Sequence, residues 1–115
     1  MPFLDLSDVA SQELLPGFHG KMVHSENMTV AYWNVQEGAV LPEHQHVHEQ
    51  IMSLLEGNFE FTLHGETLEL EPGAVVVIPA NVPHSGRALT ECIIMDSFSP
   101  ARDDYRVSIT DSKAM

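Results

Sequence analysis

The chain has 115 residues, 43% of them hydrophobic, a composition that suits one folded domain with one core. Seventeen acidic residues against five basic ones give a formal charge of −12, which excludes phosphate backbones and anionic membranes as partners, because no basic surface can release their counterions. A single cysteine, Cys92, excludes an intrachain disulfide; an N-terminus with early acids and no basic stretch does not read as a signal peptide, so a reducing cytoplasm is the expected setting.

In chain order, residues 7–15 ("SDVASQELL") predict a short helix capped by Ser7. In "MTVAYWNVQE" (28–37), Met28, Val30 and Tyr32 share one face and Ala31, Trp33 and Val35 the other, which predicts a strand buried on both sides. Phe59, Phe61 and Leu63 alternate with Glu60, Thr62 and His64; after "HGE", Leu68 and Leu70 alternate with Glu69 and Glu71, which predicts a hairpin with one wet face. "EPG" (71–73) punctuates, "AVVVIP" (74–79) predicts a buried strand, "ANVP" (80–83) a turn and "ECIIMDSF" (91–98) a further strand. The apolar runs are far too short to cross a membrane. About eight short strands with frequent Gly and Pro imply an all-β sandwich or barrel. The expectation is one domain over 1–115, with a core at about 28–98, an N-terminal arm over 1–27 and a C-terminal tail over 103–115.

The segment "GAVLPEHQHVHEQ" (38–50) places His44, His46, His48 and Gln50 at alternate positions, hence on one face of a strand. Neighbours of this kind stand about 6.6 Å apart, close enough for two imidazoles to share a metal; three on a straight strand span about twice that distance and cannot. Strand geometry therefore gives a histidine pair plus a ligand from elsewhere, and does not choose the pair. His19, His24 and His64 stand alone and read as ordinary surface histidines.

The wider spacing is informative. Gly38, His44, His46, Gln50 and Gly57, followed by Gly73, Pro79, Asn81 and His84, resemble the two signature blocks of the cupin superfamily in order and spacing. Gln50 stands where most cupins have Glu, Asn81 where the second block has Gly, and Ala88 or Leu89 near the position where it ends in Asn. The resemblance implies a single-domain cupin, a double-stranded β-helix or jelly-roll barrel, with His44, His46, Gln50 and His84 as metal ligands and His48 on the rim. The implied cofactor is one divalent transition metal: mixed nitrogen and oxygen ligands admit Ni, Mn, Fe, Co or Zn. Three neutral imidazoles and a neutral amide would leave the ion's charge undiminished and make it a stronger Lewis acid.

A second constellation follows. Asp96 and Phe98 share a face within "CIIMDSF", and burial there would raise the carboxyl pKa toward a useful acid or base. Arg102 could grip a carboxylate bidentately; the plainer alternatives are that it pairs with Asp96, or that Asp96 merely ends the strand. The ending "D-x-F-S-P-x-R-x-D-Y" (96–105), with the Gln ligand and the chain length, resembles the small single-domain cupins related to the pectin-degradation protein KdgF. That resemblance implies ring opening of 4,5-unsaturated uronate monosaccharides to linear keto sugars, with Asp96 as acid/base, Arg102 as carboxylate clamp and Phe98 as pocket wall. Pectin degradation and uronate metabolism would be the setting, and an anionic small molecule the partner. A metal-dependent dioxygenase, a small-acid lyase and a non-catalytic binding cupin are the alternatives; "QIMSLLEG" (50–57) lacks the tyrosine base those lyases use. The two-sided strand at 28–37 and the apolar "FLDL" (3–6) suggest a homodimer, formed by pairing or exchange of edge strands.

Overall fold

The computed structural model describes residues 3–106. It contains ten strands: β1 (Gln12–Leu15), β2 (Phe18–His24), β3 (Thr29–Val35), β4 (Val40–His44), β5 (Glu49–Glu56), β6 (Phe59–Leu63), β7 (Glu66–Leu70), β8 (Val75–Ile78), β9 (His84–Ala88) and β10 (Cys92–Ser99). A single-turn helix, α1 (Asp103–Arg106), follows them. All pairings are antiparallel, in a six-stranded sheet of order β1-β2-β3-β10-β5-β8 and a four-stranded sheet of order β4-β9-β6-β7. The expected all-β jelly roll is thus present.

Alternation builds the core. The inward positions of β3 are Thr29, Ala31, Trp33 and Val35, and those of β10 are Cys92, Ile94, Asp96 and Phe98, all buried. They face Phe59 and Phe61 of β6 across the gap between the sheets. The hairpin turn falls at His64 and Gly65, both at positive φ (48° and 83°), the arrangement a two-residue loop requires. Asn81 takes φ 62°, the left-handed conformation expected of the residue at that point of the second block.

Four expectations change. No helix spans 7–15: a 3-10 turn at Leu6–Asp8 is capped by Asp5, whose carboxylate accepts from the Ser7 backbone N–H, and β1 follows. The weak capping signal lost to pairing with β2. Most of the supposed arm is sheet, since β1 and β2 extend it beyond β3. Residues 74–79 do not form a buried strand; β8 is a sheet edge with Ile78 buried and Val75 and Val77 exposed. The strand at 28–37 buries one face fully and leaves Val30 and Tyr32 half-buried on the other. The tail beyond 106 lies outside the described residues, but its first residues, 103–105, pack against the body of the domain.

Candidate metal centre

Strand register assembles three histidines. β4 and β9 pair so that His44 lies directly opposite His84, after an irregularity between Leu41 and His44. The Asn81 backbone N–H donates to the His46 carbonyl at 2.7 Å, tying the turn before β9 to the segment after β4. The chain bends between β4 and β5, and this lifts the straight-strand restriction, bringing His46 in beside the other two. Ring centroids stand 4.2 Å (His44–His84), 5.0 Å (His46–His84) and 5.5 Å (His44–His46) apart. One ring nitrogen from each of the three lies within 4.8 Å of the other two.

The protons on these rings are fixed by the backbone. His44 Nδ1 donates to the Pro42 carbonyl at 2.9 Å, His46 Nδ1 to the His48 carbonyl at 3.0 Å, and His84 Nδ1 to the Val82 carbonyl at 2.9 Å. Each neutral ring then presents a bare Nε2 lone pair. His84 Nε2 is buried and unpartnered. His46 Nε2 meets Gln50 Oε1, another acceptor, at 3.2 Å. Lone pairs brought together without a donor favour a cation between them, and a divalent ion with nitrogen and oxygen ligands fits that arrangement. Burial lowers the pKa of His84 and, with the neighbouring Arg102 and histidine charges, takes His46 down to about 4, so both rings stay neutral and ready to ligate. The structure brings together His44, His46, Gln50 and His84. His48 is outside this group, its ring 5.4 Å from that of His46 and 6.4 Å from that of Phe98.

Five polar or charged residues are buried among the described ones, and four of them, Gln50, His84, Asp96 and Arg102, line one cavity of about 60 Å³. That is space for about four to six waters. Gln50 faces Phe98 across the β5–β10 pairing, and Asp96 stands one inward position along from Phe98. Asp96 Oδ2 accepts from Trp33 Nε1 at 3.0 Å, while Oδ1 is buried with no hydrogen-bond partner. Burial pushes the Asp96 carboxyl up to about 6, against the downward pull of the Gln50 and Trp33 side chains and the Arg102 charge.

Arg102 does not pair with Asp96. Its Nε and Nη2 donate to the two carboxylate oxygens of Asp104 at 3.1 and 2.8 Å. Its guanidinium carbon sits 4.1 Å from the Tyr105 ring centroid and 4.8 Å from that of Phe98. Its backbone N–H donates to Thr29 Oγ1 at 2.8 Å. Phe98 forms cavity wall as well as core.

Trp33, Asp104 and Tyr105 belong to this site although the sequence reading assigned them no part in it. A buried indole N–H needs an acceptor, and that rule could have paired Trp33 with the one carboxylate in the core. Asp104 and Tyr105 close the ending quoted for the resemblance, but nothing in it gave them a role. His19, His24 and His64 take no part: His24 Nδ1 bonds Thr29 Oγ1 at 2.8 Å, His19 lies 3.9 Å from Glu13, and His64 forms the hairpin turn.

Among the described residues no helix is long and apolar enough to cross a membrane. Residues 31–98 match the cupin domain family. No curated protein matches the sequence. Among solved structures, KdgF from Halomonas sp. is 33% identical, with a TM-score of 0.85 over 91% of this chain and 98% of that one. An RmlC-like cupin from Shewanella frigidimarina NCIMB 400 is 25% identical, with a TM-score of 0.86 over 91% and 96%. Oxalate decarboxylase of Bacillus subtilis, a protein with Mn(II) centres, is 20% identical with a TM-score of 0.74 over 84% of this chain and 29% of that one, a likeness of fold alone. The chain belongs to the cupin family, as a small single-domain member similar to KdgF.

Proposed function

We propose that the protein is a metal-dependent isomerase that opens 4,5-unsaturated uronate monosaccharides to linear keto sugars. The observation that carries this reading is the buried carboxylate of Asp96, held by Trp33 through Oδ2 and beside the Gln50 side chain, in the same cavity as the three-histidine centre.

The substrate is a cyclic enol ether with a hemiacetal at one end and a carboxylate on the alkene. Opening requires loss of the hemiacetal hydroxyl proton and cleavage of the bond from the anomeric carbon to the ring oxygen, whose electrons leave with that oxygen, giving an aldehyde and an enolate. Proton delivery to the neighbouring alkene carbon then turns the enolate into a ketone. One proton is taken and one returned, so no redox partner is required. Asp96 is the group proposed to move that proton through Oδ1, with Oδ2 fixed by Trp33. A divalent ion held by His44, His46, Gln50 and His84 would supply Lewis acidity for developing oxyanion charge. Phe98 and Tyr105 wall the site and exclude water from the enolate. Arg102 is proposed to meet the substrate carboxylate with the guanidinium edge not held by Asp104.

In a chain of net charge −12, an anionic substrate needs local positive charge to approach. Arg102 and the histidine centre lie together in the cavity, whereas Arg87 is 3.7 Å from Glu60 on the outside of the barrel.

The ultraviolet absorbance of the conjugated alkene disappears on conversion, which gives a direct assay. Metal-loaded wild type should accelerate its decay, and Asp96→Asn should lower the rate at least 100-fold while retaining its metal. Decay at the uncatalysed rate with saturating metal would reject the activity; an unimpaired Asp96→Asn would reject the named acid/base.

A further inference from the structure

Arg102 is buried, and its backbone and side chain are held separately. Its backbone N–H donates to Thr29 Oγ1 at 2.8 Å, which seats the residue against β3. The Tyr105 backbone N–H donates to the Arg102 carbonyl at 3.0 Å and closes the turn that follows. The rings of Phe98 and Tyr105 stand edge to face with centroids 6.1 Å apart, and the guanidinium lies in the corner between them. Attraction to a ring depends on distance from it and does not select which N–H edge points where. The Asp104 carboxylate does select it: it accepts from Nε at 3.1 Å and from Nη2 at 2.8 Å, which occupies one whole edge of the guanidinium. The two partners border different spaces. Arg102 lines the cavity that holds the three histidines, and Asp104 lines a groove outside it, with Glu26, Asn27 and His48. Their side chains are 8% and 35% exposed.

We propose that Asp104 is a positioning residue: by binding the outer edge of Arg102 it turns Nη1 and the second Nη2 proton toward the cavity, where they receive the substrate carboxylate. This rests on the reading that Arg102 is the carboxylate clamp. Charge supplies the reason that such a residue is needed. A divalent ion on three neutral imidazoles and a neutral amide keeps its full charge, and a guanidinium in the same cavity is repelled by it. A long side chain also gains rotamer freedom by leaving a wall for solvent. Both effects pull Arg102 out of the cavity. Charge-assisted hydrogen bonds from behind oppose them, and the negative charge of Asp104 offsets that of the guanidinium where it stands. Asp104 does this without taking the edge a substrate needs, because its side-on pair leaves Nη1 whole.

The test uses the metal-loaded full chain and two probes. With the 4,5-unsaturated uronate, Asp104→Ala should raise KM roughly tenfold or more while kcat stays within about threefold, the pattern of a lost charge-assisted contact that serves binding. In an Arg102→Lys background, which has no side-on edge to hold, adding Asp104→Ala should change KM by less than about twofold. Calorimetry with galacturonate, a saturated uronate that cannot react, should show the same roughly tenfold loss of affinity in Asp104→Ala. The Arg102 Nε–H signal in proton–nitrogen NMR spectra, identified by its absence in Arg102→Lys, should be present in wild type and broadened by exchange in Asp104→Ala. Asp104 is partly exposed, so the variant should keep its metal and its circular dichroism; Asp104→Asn serves if it does not fold. Unchanged affinity for both probes overturns the inference, and so does tighter binding, which would make Asp104 a competitor of the substrate for Arg102. A loss that persists undiminished in Arg102→Lys overturns it too, since Asp104 would then act through the fold alone. Absence of alkene decay, with galacturonate bound by wild type and weakened in Asp104→Ala, would reject the sugar reaction and keep the clamp; a wild type that binds neither sugar rejects both.

Discussion

At the scale of the residue, the site is a set of opposed proton preferences. Burial drives His46 down to about 4 from an ordinary value of 6.5, and it drives Asp96 up to about 6 from 3.8. A depressed histidine contributes stability that is complete above 6.5 and lost as pH falls through about 4; a raised carboxyl contributes stability that is complete below 3.8 and lost as pH rises through about 6. Between about pH 4 and 6 the two slopes oppose each other in the metal-free protein. Removing the carboxyl leaves the histidine slope, to which the lowered His84 adds. The urea midpoint of metal-free Asp96→Asn is therefore expected to climb more steeply from pH 4 to 6 than that of wild type, and parallel profiles would refute this assignment of the buried charges. The histidines and Gln50 were legible from spacing, because block order survives any local uncertainty about strand shape. Arg102's partner was not. Asp104 is only two residues away, but the turn that brings its carboxylate onto the guanidinium has no sequence signature.

Elements explain why the site holds its shape. β9 carries His84 at one end and pairs with β4 on one side and β6 on the other, so the sheet fixes His84 against His44. Gly86 sits between Leu41 and Phe61 in that pairing, and a Cβ there would collide with the ring of Phe59, which is 1% exposed. Gly86→Ala should lose about 1–3 kcal/mol of stability through overpacking, measured by denaturant unfolding of the metal-free protein. It should also weaken metal binding, because β9 has to shift; unchanged stability would mean that Phe59 moves freely. Alternation identified β6 and β10 because each has a clear inner face, and it placed β7 although Leu68 there is 58% exposed. It failed for residues 7–15, where a four-residue edge strand offers too few positions for a period, and for β8, where a run of valines has no polar face to betray its exposure.

For the whole molecule, charge and shape divide the labour. A chain with −12 overall places one buried arginine, Arg102, in the same interior cavity as the three histidines. An all-β sandwich or barrel followed from strand count and punctuation, and the jelly roll from the resemblance of the two blocks to those of cupins. The outward face did not, because the sequence shows which residues alternate but not which side of a sheet is covered. The account rests on the metal centre. Elemental analysis of purified, dialysed protein should find one equivalent of a divalent transition metal per chain, and His84→Ala should retain less than about a tenth of it while staying folded. Protein that holds no metal after loading, or a His84→Ala variant that binds it as tightly as wild type, would contradict the account.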